Sequence, residues 1–292
     1  MKPPVFTYHR PESLSEALEM LSEFEDARIL AGGQSLMPMM NFRYVMPEHI
    51  IDINRIPEIA KIEETANGLK LGAMVRHNQA KESGLVAKRC PLIAYGMAFV
   101  AHVQIRNRGT VGGSLSHMDP SAEWPALLAV HDAVLHVQSR ESQRDVPIGE
   151  WSRGFMTPNI EEGEMLVGVS VPAWPGGHTY GFAELARRKG DFALAGAAVL
   201  LSLDGSGKID RAAIALTGVD TGPVRLPDAE EMLMGQSPSD ALFREAAAEA
   251  QNVTGLDDVH ASAAYRRKIA VVMARRALEE AMARHTGEEM AA

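Results

Sequence analysis

Two glycine-rich segments constrain this chain more than anything else in it: Ala31-Gly32-Gly33-Gln34-Ser35-Leu36 and Gly109-Thr110-Val111-Gly112-Gly113-Ser114. Glycine takes positive φ at little steric cost and lets a backbone pass close to a ligand, so consecutive amides can converge on a phosphate; the same residues also make ordinary tight turns. Neither segment is a G-x-G-x-x-G opening a helix or a G-x-x-x-x-G-K-[ST], which disfavours Rossmann and P-loop readings. Gly33-Gln34-Ser35-Leu36-Met37 and Gly112-Gly113-Ser114-Leu115-Ser116 both lack the final glycine of a G-x-S-x-G nucleophile elbow, which disfavours serine hydrolase chemistry.

The patterning around these segments is mixed. Leu14, Ala17, Leu18 and Leu21 recur at helical spacing within Glu12 to Phe24, with Ser13 and Glu16 as a capping box. Ala27 to Leu30 reads as a strand running into the first glycine segment, with a short helix from about Ser35. Strand patterns follow at His49 to Ile53, Ala60 to Glu63 and Gly68 to Leu71, and helical ones at His77 to Glu82, Leu85 to Lys88 and Leu92 to Val100. Pro120 to Val130 is predicted helical with Asp119 as its cap, and Ala133 to Ser139 and Met165 to Val171 are predicted strands. Pro172-Ala173-Trp174-Pro175-Gly176-Gly177 breaks the pattern and sets a domain boundary. Beyond it, Asp204-Gly205-Ser206-Gly207-Lys208 joins the apolar runs Ala195 to Leu203 and Ile209 to Leu216 as a hairpin. Helical segments at Asp228 to Met234, Asp240 to Gln251 and Ala263 to Arg284 complete the chain, with Tyr265, Ile269, Val272, Met273 and Ala277 on one face of the last. The fold class expected is α+β, ending in a sheet covered by helices.

Lys and Arg total 29 against 38 Asp and Glu, a formal charge of -9, which disfavours general nucleic-acid or anionic-membrane binding. Any phosphate must then be held locally. The longest apolar run, Ala193 to Leu203, falls well short of the ~20 residues of a membrane span, and the N-terminus has no apolar targeting core, so a cytoplasmic location is expected. Cys90 is the one cysteine, excluding an internal disulfide, a Cys-rich zinc site and an iron-sulfur cluster held by this chain alone; beside Pro91 it reads as a small buried apolar residue. Met37, Met39 and Met40 read as core filler. Arg187-Arg188-Lys189 and Arg266-Arg267-Lys268 read as solvated faces, the first with a ligand surface as the alternative because Gly190-Asp191-Phe192 follows it.

Taken together, Ala31 to Pro38 and Gln104 to Ser114, with Tyr8-His9-Arg10-Pro11, Asp119-Pro120, Glu123-Trp124-Pro125-Ala126, Gly163 to Leu166 and Arg187 to Ala193, carry a resemblance over nearly the whole chain. The sequence resembles the FAD-binding medium subunits of the molybdenum hydroxylases, the family of the carbon monoxide dehydrogenase medium chain and the xanthine dehydrogenase FAD subunit. The resemblance implies a PCMH-type FAD-binding region of two subdomains, residues 1–57 and 58–175, a C-terminal sheet-plus-helices domain, residues 176–285, and a flexible tail, residues 286–292. It implies FAD contacts at Leu30, Ala31, Gly32, Gly33, Gln34, Ser35 and Leu36 and at Thr110, Gly112, Gly113 and Ser114. By position it adds Arg28 near a phosphate, Ala101 beside the flavin, Glu123 as a ribose- or ribityl-binding acid, Leu166 against the ring system and Lys189 near the cofactor. Ser114 stands where many relatives have Asn, which alters a side-chain hydrogen bond and leaves the backbone cradle. No catalytic acid-base residue and no metal ligand is expected on this chain. The partners implied are a large subunit with molybdopterin-bound molybdenum and a small subunit with [2Fe-2S] clusters, as a dimer of heterotrimers. Electrons would run through FAD to an external acceptor; carbon monoxide, a purine and a nicotine-like N-heterocycle are all open as the substrate, an aromatic N-heterocycle being favoured. The alternative is a self-contained flavin oxidoreductase of the vanillyl-alcohol oxidase-like fold.

Overall fold

A computed structural model describes residues 1–287. The chain opens as β1 (Thr7–His9), α1 (Leu14–Glu23), β2 (Ala27–Leu30), α2 (Leu36–Asn41) and β3 (His49–Asp52). The three strands pair in parallel in the order β1-β3-β2. Ser13 caps α1 through the Glu16 N–H, while the Glu16 carboxylate takes the N–H of Glu12, one residue before the position a standard capping box uses. Ala17 and Leu18 turn inward against Ile51, Ile53, Met74 and Met165, so this first core takes in residues from the next part of the chain.

The second part runs β4 (Ile62–Thr65), β5 (Gly68–Gly72), α3 (His77–Glu82), α4 (Gly84–Arg89), α5 (Pro91–Gly96), α6 (Val103–Arg106), α7 (Val111–His117), α8 (Glu123–Ala129), β6 (Val134–Gln138), β7 (Gln143–Pro147), β8 (Ser152–Gly154), β9 (Thr157–Pro158) and β10 (Met165–Pro172). Its five-stranded antiparallel sheet has the order β4-β5-β10-β6-β7. Two expectations need correcting here. The second glycine segment is not a free turn: Gly112 and Gly113 lie in the first turn of α7, capped by the Thr110 hydroxyl. Asp119 does not cap α8; it accepts the Ser121 N–H at 2.8 Å, and α8 starts after Ala122.

The third part is β11 (Thr179–Ala186), β12 (Ala193–Leu203), β13 (Ile209–Thr217), β14 (Val224–Arg225), α9 (Pro227–Leu233), α10 (Asp240–Ala248) and α11 (Ala263–Thr286). β12 is apolar but for Ser202 because both of its faces are covered. Ala195, Ala197, Val199 and Leu201 pack toward α11, while Ala198 and Leu200 join the core of the second part. The buried stripe of α11 is Arg266, Ala270, Met273, Ala274, Ala277, Leu278 and Ala281; Tyr265, expected on that face, is exposed. Arg266 is the larger correction, since it is buried rather than solvated. Thr286 ends α11 and Gly287 caps it with φ +74°; the remainder of the expected tail, residues 288–292, lies outside the described residues. Among the described residues no helix is long and apolar enough to cross a membrane.

Candidate cofactor site

A cavity of ≈1190 Å³ opens between the parallel sheet and the second part, with Gly190, Asp191 and Phe192 of the third part on its wall. Arg28 and Ala31 through Leu36 line it from the first part, and Ala101, Thr110, Gly112, Gly113, Ser114, Glu123 and Leu166 from the second. Two expected residues are not on this wall. Leu30 turns beneath Gly33, its Cδ1 lying 3.2 Å from where a Cβ would stand there, and Lys189 is exposed. The wall is made instead by the three residues after Lys189. There Gly190 has φ +88°, and the imidazole of His102 fills the space a Cβ would need.

The two glycine segments do different things. In the first, the N–H groups of Gly32, Gly33, Gln34, Ser35 and Leu36 have no acceptor among the described residues, and Gly33, at φ +73°, turns the chain so that successive amides face one concavity. In the second, every amide but that of Thr110 is spent inside the fold. Val111 donates to Val75, Gly112 to Ala73 at 2.7 Å, Gly113 to the Thr110 hydroxyl at 3.0 Å, and Ser114 to the Thr110 carbonyl. Its glycines serve close packing: a Cβ on Gly112 would stand 2.6 Å from that of Ala73. Gly32 has the same use, since a Cβ there would meet the Arg108 carbonyl oxygen at 2.3 Å. Arg28 makes only a 3.4 Å bond to the Ala27 carbonyl, leaving guanidinium donors at the wall. Orphan backbone donors with an arginine beside them fit a diphosphate.

Ionisable groups in unusual states stand on the opposite wall and behind it. Burial pushes the Glu123 carboxyl up to about 7, with the charge of Asp119 adding to the effect. Glu184, which does not line the cavity, is pushed up to about 8 by burial and then by the charge of Glu123, and its Oε2 is buried without a partner among the described residues. Two carboxyls so placed favour at least one bound proton near neutrality. His77 is pulled down to about 4 by burial, then by the charges of Arg76 and Arg106, and its Nδ1 accepts the Trp124 indole N–H at 2.7 Å, which defines a neutral ring. Ala101 sits at φ 38°, a region costly for an L side chain. It is held there by Arg106, which donates to the Val100 and Ala101 carbonyls at 2.8 Å each.

Sequence reasoning missed Leu21 and Phe24, which extend the wall beyond Arg28 from what reads as an ordinary amphipathic helix. It also passed over Asn54 and Arg76. Their only signal was a polar residue directly after an apolar strand and a basic residue directly before a helix.

Parallel strands running into a donor-lined glycine segment, with a second subdomain closing over it, define a dinucleotide-binding subunit. Residues 4–174 match the family described as FAD binding domain in molybdopterin dehydrogenase, and residues 180–281 match the CO dehydrogenase flavoprotein C-terminal domain. The chain belongs to the FAD-binding medium subunits of the molybdenum hydroxylases: it is an oxidoreductase subunit and its cofactor is FAD. It is 39% identical to the 6-hydroxypseudooxynicotine dehydrogenase complex subunit alpha of Paenarthrobacter nicotinovorans, over 99% of each chain. It is 38% identical to the nicotine 6-hydroxylase medium subunit of the same organism, over 97% of this chain and 100% of that one. Among solved structures, the carbon monoxide dehydrogenase of Hydrogenophaga pseudoflava superposes with a TM-score of 0.93 at 38% identity, covering 97% of this chain and 99% of that one.

Proposed function

We propose that this chain is the point at which electrons leave the [2Fe-2S] clusters of a small partner subunit for an external acceptor, while a large partner subunit hydroxylates the substrate at a molybdenum centre. The observation that carries this reading is the run of acceptor-free amides from Gly32 to Leu36 on a cavity large enough for a dinucleotide. Redox chemistry is what FAD supplies when bound; the protein contributes binding, orientation and electrostatics. Gly32 to Leu36 and Arg28 would hold the diphosphate, with Thr110, Gly112, Gly113 and Ser114 as the facing wall. Glu123, in its protonated form, would bond a sugar or ribityl hydroxyl, and Ala101 and Leu166 would flank the ring. Cys90, the one cysteine, is buried and its thiol is pushed up to about 12, mainly by burial, which supports clusters carried by a partner. A dimer of heterotrimers is the assembly proposed. An aromatic N-heterocycle is the proposed substrate class, because two similar relatives are named for nicotine and a nicotine-derived compound.

The test is made on the complex purified with its co-encoded subunits, with and without its flavin. Substrate should reduce the clusters in both preparations, and an external dye acceptor only in the flavin-containing one. Equal dye reduction by the flavin-free complex would overturn the electron route. Failure of any flavin to bind would overturn the cofactor role itself.

A further inference from the structure

No strand pairing joins the first part of the chain to the second: the two glycine segments hang from separate sheets. Besides the apolar core they share, a chain of polar side chains joins them beside the cavity. Asn54 Nδ2 donates to the Ala31 carbonyl at 2.7 Å and to Asp52 Oδ1 at 2.5 Å, and Asn54 Oδ1 accepts from the Arg76 guanidinium at 2.5 Å. The other terminal nitrogen of Arg76 donates to the Arg108 carbonyl, directly before the second segment. Turning the amide over would set its oxygen against a carbonyl and a carboxylate and its NH₂ against a guanidinium, so only one orientation satisfies the network.

The anchor of this chain is Asp52. Its Oδ1 also accepts the Asn54 N–H at 2.9 Å, and its Oδ2 accepts the Tyr8 hydroxyl at 2.5 Å. Burial opposes its charge, but the bonds from Tyr8 and Asn54 hold the carboxyl below the ordinary range, so it stays ionised at neutral pH. Gly32 completes the junction. Its missing Cβ is what lets the first segment touch the Arg108 carbonyl that Arg76 grips.

We propose that Asn54 and Arg76, braced by Asp52, form a clasp that sets the gap between the two glycine segments and so positions the FAD diphosphate against the amides of Gly32 to Leu36. The proposal rests on the FAD reading above. Neither side chain lines the cavity, so both are positioning residues. The division of labour between the segments makes the gap matter. The first offers a run of five free amides and the second only that of Thr110, so a diphosphate seated on the first is confined by a facing wall whose other amides are spent.

The experiment uses the full chain in complex with its co-purified subunits, stripped of flavin and titrated with FAD. Asn54→Ala and Arg76→Met should each weaken binding about tenfold, the scale of a lost charge-assisted hydrogen bond. The double variant should lose little more than either single one, because both break the same link. Arg76→Lys should recover part of the loss. The ³¹P resonances of bound FAD should shift in Asn54→Ala and Arg76→Met, and stay in place in Tyr95→Phe, which loses a hydrogen bond away from the cavity. Unchanged affinity in the clasp variants, additive losses in the double variant, or the same ³¹P shifts in Tyr95→Phe would overturn the clasp. A wild-type complex that takes up no FAD would instead overturn the reading beneath it.

Discussion

Glu184 and His77 show how far burial moves ordinary side chains in this protein, and in opposite directions. The folded chain binds a proton at Glu184 up to about pH 8 and at Glu123 up to about 7, against an ordinary value of 4.5. The folded state therefore holds more protons than the unfolded chain across that window. The stability these groups contribute is full below pH 4.5 and is lost as pH rises through 7 and 8. His77 and His131, drawn down to about 4 and about 3 by burial, work the other way. Their contribution is full above 6.5 and is lost as pH falls toward 4 and then 3. Glu184→Gln mimics the protonated acid. Thermal unfolding of the flavin-free protein should show the variant above wild type at pH 8 and level with it at pH 5; an equal difference at both values would remove the assignment.

Helix α11 shows what periodicity conveys and what it omits. Its length and position follow from the pattern of Ala, Leu and Arg, yet its buried face is built around an arginine and a run of alanines rather than around Ile269 and Val272. The alanines are needed because the helix lies almost on β11: a Cβ on Gly181 would be 1.9 Å from the Ala277 carbonyl oxygen. Arg266 is buried because the sheet leaves two carbonyls uncovered there. It donates to Leu194 at 2.6 Å and Gly218 at 2.8 Å, and pairs with Asp258 at 2.5 Å. Arg266→Met should cost about 3 kcal/mol in denaturant unfolding, since it strands buried acceptors and removes the partner of Asp258. The solvated-face reading would have put the loss near zero. The hairpin at Asp204 was legible for the opposite reason: its Oδ1 binds the Ser206 and Lys208 N–H groups, all within five consecutive residues.

Across the whole molecule, the third part is fastened to the second by long-range polar contacts. The Tyr95 hydroxyl donates to Glu280 at 2.5 Å, Glu280 also accepts the Phe182 N–H at 2.7 Å, and Arg284 stacks over Tyr95 and Tyr180 at 4.1 and 4.4 Å. Thr217 donates to the Pro120 and Ala122 carbonyls, which tethers the segment entering α8 and hence Glu123. Tyr95→Phe should lower stability by about 1 kcal/mol, the net worth of one hydrogen bond, with FAD affinity unchanged. Thermal unfolding and a flavin titration on the same preparation check both halves; weakened FAD binding would mean that this fastening also shapes the cavity.

What the sequence determined by itself is whatever a few adjacent residues decide: the Ser13 cap, the strand from Ala27 into Gly32, the positive φ of Gly33, the hairpin at Asp204, and the short Pro-rich break before β11. Its glycine segments and their order also carried the family. The tertiary structure alone decided which amides are free and which are spent, why Gly32 must lack a Cβ, and that Arg266 is interior. It also decided that Leu30 and Lys189 stand off the cavity wall, and that Asn54 meets Arg76. The reason is physical. Turns, caps and periodicity are short-range energies written in contiguous residues, whereas burial and the pairing of a donor depend on atoms that only the fold brings within 3 Å.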